Sequence, residues 1–272
     1  MGQRAVPGPG GRTPGRGAGV RGRRTESQAR LGRAVSAPAS PPEVGGVVLV
    51  LPPGEPVSAR GPSTVAYASM LPLARTLARA GAAEGLLVHM VRYRSRGWNG
   101  ADAQLSADAW WAAEEVVRRY GDVPVCLAGH GMGGRAALRA AGHPAVSSVL
   151  AMAPWLPDGS AGGEPEPVSQ LAGREVLIVH GTNDERSDPE LSLRLAQRAR
   201  KANRHTCRFE VHSDGHALRQ HHSEVLALAK DFVLGALLSR TYSRPVADAL
   251  AAPPPLGLRM PLAAGFGRSL RP

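Results

Sequence analysis

Three stretches of this chain have residue types and spacing that could do chemistry. Gly129-His130-Gly131-Met132-Gly133-Gly134 lies between an apolar run, Val125–Ala128, and an Ala-rich run. His180-Gly181-Thr182-Asn183-Asp184 closes a second apolar run, and Asp214-Gly215-His216-Ala217 follows a third. A strand that turns sharply into a helix through small residues presents its apex residue to a cleft, the position of the serine in a G-x-S-x-G elbow. A carboxylate after one later strand and an imidazole after the next would complete a nucleophile, base and acid set. Asp184 would then hold His216 through its Nδ1–H, and His216 would face the apex. The apex here is Gly131, so the order suits acyl transfer while a hydrogen stands where the hydroxyl should be. Removing the nucleophile of such a triad costs on the order of a million-fold in turnover, about 8 kcal/mol, and leaves binding and oxyanion stabilisation.

Other groups compete for the missing role. Ser58, Ser95 and Thr182 sit in loops that could approach the same cleft, and His216 could instead activate a water in the space a serine would fill. Loop hydrogen bonds are the commoner use of such hydroxyls. The letters Gly129, Gly131 and Gly134 also satisfy G-x-G-x-x-G, a dinucleotide-binding alternative. That fingerprint needs an acid at the end of the following strand to hold a ribose; here the strand ends Leu150-Ala151-Met152-Ala153-Pro154-Trp155, and Asp158 lies beyond it. His212, His216, His221 and His222 straddle a turn instead of repeating on one helix face, so no metal site is expected. Tyr93-Arg94-Ser95-Arg96-Gly97-Trp98 puts Arg94 and Trp98 near the cleft, able to hold an anionic or planar ligand. The alternative is a solvated loop with one anchoring tryptophan. Trp155 begins a segment to Leu171 that is short for a lid and long enough to wall a pocket.

Positioning these groups requires an alternation of strands and helices, and the sequence supplies one. Buried-strand runs are expected at 46–51, 85–91, 123–128, 146–152, 175–180 and 206–212. Helices are expected at 70–80, 105–120, 133–141, 190–201 and 221–238, several with apolar residues at i, i+3, i+4 and i+7. Continuous Val/Ile/Leu strands that alternate with helices imply a mostly parallel sheet of six to eight strands covered on both faces, a three-layer α/β/α sandwich.

The net charge of +11 looks like a nucleic-acid binder until it is partitioned. The first 40 residues carry eight arginines against one glutamate, whereas residues 41–240 carry 21 basic against 20 acidic groups. A nearly neutral body argues against a phosphate-binding surface and a specific nucleic-acid partner. Residues 1–42 and 241–272 are rich in Arg, Gly, Pro and Ala with few large apolar side chains, so both are expected to be disordered tails around one domain at 43–240. Cys126 and Cys207, on strands separated by two others, are expected to be buried thiols. No apolar stretch reaches the roughly 20 residues of a membrane span, and no signal-like segment follows Arg23-Arg24, so a cytoplasmic location is expected.

From about Val44 to Leu238 the chain resembles the α/β-hydrolase superfamily, and within it small bacterial esterases similar to dienelactone hydrolases. The matching residues are Gly129-His130-x-Met132-Gly133-Gly134, His180-Gly181-x-x-Asp184 and Asp214-Gly215-His216-Ala217. The resemblance implies carboxylic-ester hydrolase parentage, with Asp184 as triad acid, His216 as base, Gly131 at the nucleophile position and Met132 N–H in the oxyanion hole. A second oxyanion donor should come from the loop after Gly46–Leu51, where Pro52-Pro53-Gly54 leaves Gly54 or Glu55 to supply it. The expected state is a weakly active or inactive enzyme, or a non-catalytic binding protein. Its partner is a small ester-like or anionic molecule contacted by His130, Arg94, Trp98 and Trp155, without a cofactor.

Overall fold

The computed structural model describes residues 1–2, 28–35, 43–158 and 164–268. Its centre is an eight-stranded sheet among the described residues. In chain order the strands are β1 (Arg30–Leu31), β2 (Gly46–Leu51), β3 (Leu86–Arg92), β4 (Val125–His130), β5 (Val146–Met152), β6 (Glu175–Gly181), β7 (Thr206–Val211) and β8 (Met260–Pro261). The spatial order is β1-β3-β2-β4-β5-β6-β7-β8, parallel throughout except for the antiparallel β1. The main helices are α1 (Thr64–Ser69), α2 (Leu71–Gly81), α3 (Gln104–Tyr120), α4 (Met132–Ala140), α5 (Pro189–Ala202), α6 (His222–Leu238) and α7 (Arg244–Ala251).

Period-two side-chain alternation splits each strand between two cores. Val47, Leu49 and Leu51 join α3, α4 and α5 on one face. Val48 and Val50 join α2, α6 and α7 on the other. Both faces of β2 are therefore fully buried, which is why its sequence reads as an unbroken apolar run. Cys126 and Cys207 are buried free thiols, pushed up to about 12 by burial.

The expectation that 241–272 forms a disordered tail is corrected for residues 241–268; residues 269–272 lie outside the described residues. Val246 and Ala249 of α7 are buried in the second core, and Leu262 and Phe266 pack there too. The Arg200 guanidinium donates to the carbonyls of Leu250 and Ala252, satisfying the end of α7. Composition misled because Ala and Pro dominate the segment, while its few apolar residues fall on one face. Of the expected N-terminal tail, residues 3–27 and 36–42 lie outside the described residues. Within the described part, Leu31 is buried and β1 pairs with β3.

The join between β4 and α4 is tight. A Cβ at Gly129 would lie 2.1 Å from the Gly133 carbonyl oxygen, and one at Gly133 would lie 2.3 Å from the Leu51 carbonyl oxygen. Strand, helix and neighbouring strand meet here through backbone alone, so the elbow's flanking glycines are steric requirements. Gly133→Ala is expected to cost about 3 kcal/mol or more, since the clashing atoms are backbone and cannot turn aside. Thermal unfolding would read this as a fall of roughly 6–12 °C; an unchanged midpoint would show that the join relaxes.

Candidate active site

The elbow forms because Gly131 adopts φ +57° and ψ −120°, between the end of β4 and the first turn of α4. Its N–H donates to Met152 O, and its carbonyl accepts from Trp155 N–H and Arg135 N–H. The apex is thereby tied to β5 and to its own helix. A Cβ built on Gly131 would lie 3.2 Å from His216 Nε2 and 3.7 Å from Pro53 Cβ. The residue at the apex thus faces the imidazole that the sequence order singles out.

Behind His216 stands a buried polar chain. His216 Nδ1 donates to Asp184 Oδ2 at 2.8 Å, leaving the Nε2 lone pair toward Gly131. His180 Nε2 lies 3.1 Å from the same Asp184 oxygen and 3.0 Å from Ser187 O. Asp184 Oδ1 accepts from the N–H groups of Arg186 and Ser187 at 2.9 and 3.0 Å. Burial works to raise the Asp184 pKa, but the bonds from His180, His216 and the Ser187 amide together outweigh it and hold the carboxyl below the usual range. On its far side His180 Nδ1 lies 2.9 Å from Ser192 Oγ, which accepts from Arg208 Nε at 3.0 Å. Sequence reasoning passed over His180 as a supporting group, although its i, i+4 spacing to Asp184 was visible.

His130 stands edge-on to His216, ring centroids 4.8 Å apart, and its Nε2 is 2.8 Å from the His216 carbonyl oxygen. With Nε2–H donating, His130 fixes the backbone that carries His216. Burial first, then the neighbouring His216, lowers its pKa to about 4.

A cleft of about 490 Å³ opens beside these groups, lined by Gly54, His130, Met132, Trp155, Ser187 and His216 among others. Met132 opens α4, so its N–H has no intrahelical partner. Across the cleft, Pro52 and Pro53 have no N–H and Glu55 N–H is taken by Arg96 O at 2.7 Å. Gly54 N–H is the remaining donor of that loop.

Two of the four expected ligand contacts are elsewhere. Arg94 donates to the fully buried Asp108 through its backbone and its Nε, at 2.8 and 2.6 Å, and does not line this cleft. Trp98 is buried under the Arg135 guanidinium, 3.9 Å from its ring centroid, and Arg135 is paired with Glu166. Both residues secure loops to the face of α3 and α4. His130 and Trp155 do line the cleft. The candidate replacement hydroxyls are also engaged: Ser95 Oγ donates to Gln104, Thr182 Oγ1 to Asn183, and Ser58 Oγ accepts from Arg60 N–H. None of the three lines the cleft, whereas Ser69 and Ser187, not singled out from sequence, do.

No protein-family model matches the chain, and no curated protein matches it in sequence. Solved structures do match in shape. An α/β serine hydrolase without a lid from Xanthomonas campestris is 19% identical, with TM-score 0.53, over 78% of this chain and 90% of that one. An α/β serine hydrolase homologue from Coxiella burnetii is 18% identical, with TM-score 0.51, over 74% and 89%. Est1E from Butyrivibrio proteoclasticus, solved with ferulic acid, is 15% identical, with TM-score 0.53, over 78% and 96%. The likeness is one of fold: the chain has the α/β-hydrolase fold. Its β5 ends without a carboxylate, so the dinucleotide alternative gains no support.

The His130 shift gives a pH prediction. Because the folded state lowers its pKa, the unfolded chain protonates first, and the contribution is complete above about pH 6.5 and eroded as pH falls toward about 4. Up to about 3 kcal/mol is lost over that window. Chemical denaturation of wild type and His130→Gln at pH 7 and 4.5 should show the wild type losing more. Parallel losses would show that this imidazole titrates normally. Asp184→Asn should cost about 3 kcal/mol at pH 7, since it leaves buried donors mismatched, and a loss below 1 kcal/mol would discount the polar chain.

Proposed function

On the α/β-hydrolase fold, we propose that this protein descends from carboxylic-ester hydrolases and keeps a cleft for a small ester-like or anionic molecule. It turns esters over weakly or not at all, because the elbow carries no nucleophile. The observation behind this reading is the geometry at Gly131: elbow backbone with φ +57°, and a side-chain position 3.2 Å from a base that is itself held by a buried carboxylate.

The cleft's lining supports the ligand class. Met70, Leu73, Met152 and Val225 give it apolar walls, and Arg186 and Arg219 stand exposed at its edge. Among the described residues neither guanidinium pairs with an acid, so both are available to a carboxylate or to the carbonyl of an ester. Ferulic acid, held by Est1E, is a molecule of this kind.

A fluorophosphonate probe separates the readings. The natural protein should label no more than its heat-denatured control, and Gly131→Ser should label. Labelling of the natural protein would overturn the proposal and direct attention to Ser58, Ser69, Ser95, Thr182 or Ser187. The serine variant is also expected to be about 1–3 kcal/mol less stable, because a residue with a side chain must then hold φ +57°.

A further inference from the structure

The spacing at the apex distinguishes carbon from oxygen. At 3.2 Å from His216 Nε2 and 3.6 Å from Cε1, a side-chain carbon at position 131 presses on the imidazole. An oxygen at the same point would lie within hydrogen-bond length of Nε2. An apolar side chain such as alanine's therefore sets a methyl against the lone pair of the base, whereas serine would set its own oxygen there. Glycine leaves the lone pair facing the cleft, with Nδ1 anchored at 2.8 Å on Asp184 so that the ring cannot turn away.

We infer that Gly131 makes this site a direct general-base hydrolase, in which a water at His216 Nε2 attacks a bound ester without a covalent enzyme intermediate. This rests on the ester-hydrolase reading above and adds a route to it. In the first step a water O–H bond breaks, its proton passes to Nε2, and the oxygen bonds to the ester carbonyl carbon. The π pair moves onto the carbonyl oxygen, toward the free N–H of Met132. In the second step that pair re-forms the carbonyl, the bond to the alkoxy oxygen breaks, and the Nε2 proton passes to the departing alkoxide. One water and one ester become one carboxylic acid and one alcohol, and the imidazole ends neutral. Asp184 does not transfer a proton; it stabilises the imidazolium formed between the steps. His130 is a positioning residue, acting through the His216 carbonyl.

The consequence is an order of activities that a vestigial site would not show. Hydrolysis of p-nitrophenyl acetate by the full chain should fall about a hundredfold in His216→Gln, the scale of general-base assistance. It should fall roughly tenfold or more in Gly131→Ala, whose methyl group obstructs the water without adding or removing a hydroxyl. Progress curves should lack a burst, and intact-protein mass spectra of quenched reactions should show no acetyl adduct. Equal rates for wild type and folded Gly131→Ala would overturn the inference, as would an acetylated His216. If Gly131→Ala does not fold, the His216→Gln comparison and the adduct search decide it: wild type no faster than His216→Gln refutes the route. Either failure with an unlabelled wild type leaves a ligand-binding protein. Fluorophosphonate labelling of the wild type would instead remove the reading beneath both.

Discussion

One carboxylate oxygen organises the far wall of the cleft. Asp184 Oδ2 receives His216 from the loop after β7 and His180 from the end of β6, while Oδ1 gathers the amides of Arg186 and Ser187. Four groups meet this buried carboxylate, and the arrangement explains how a charge can sit beneath a partly apolar cleft. It also links His216 to the scaffold. Through His180, Ser192 and Arg208, the orientation of His216 is referred to β6, α5 and β7.

The opposite wall is built by exclusion of side chains. Gly129 and Gly133 let β4, α4 and the end of β2 approach through backbone atoms. That contact brings Met132 N–H and the apex to the cleft at a fixed angle. Glycine at the apex relaxes the positive φ that a substituted residue would have to hold. The turn from β4 into α4 thus presents no side chain to the imidazole.

Much of this was legible in the chain because the signals were local. The runs Gly46–Leu51 and Val146–Met152 are strands with the expected ends, and the other expected strands and helices differ by one or two residues. Asp184 and His216 could be placed because strand ends in a parallel sheet converge on one edge. What failed depended on partners distant in sequence. Arg94 looked available until α3 brought Asp108 beneath it, and Trp98 until Arg135 covered it. The helix at 244–251 was hidden in an Ala/Pro-rich segment, since what holds it is Arg200, some fifty residues earlier. His180 read as a strand terminus, because a spacing of four residues does not by itself announce that Asp184 turns back to meet it.

The sheet's flanks carry a consequence of their own. Two-residue strands close both sides: Arg30–Leu31 lies along β3, and Met260–Pro261 along β7. Each comes from a stretch that composition alone marks as expendable. A chain cut back to residues 43–240 would leave the N–H and C=O groups of β3 and β7 facing outward, an invitation for one molecule to add its ribbon to the next. The terminal segments thus serve as selvedges, finishing the weave at each margin so that it does not unravel into its neighbours.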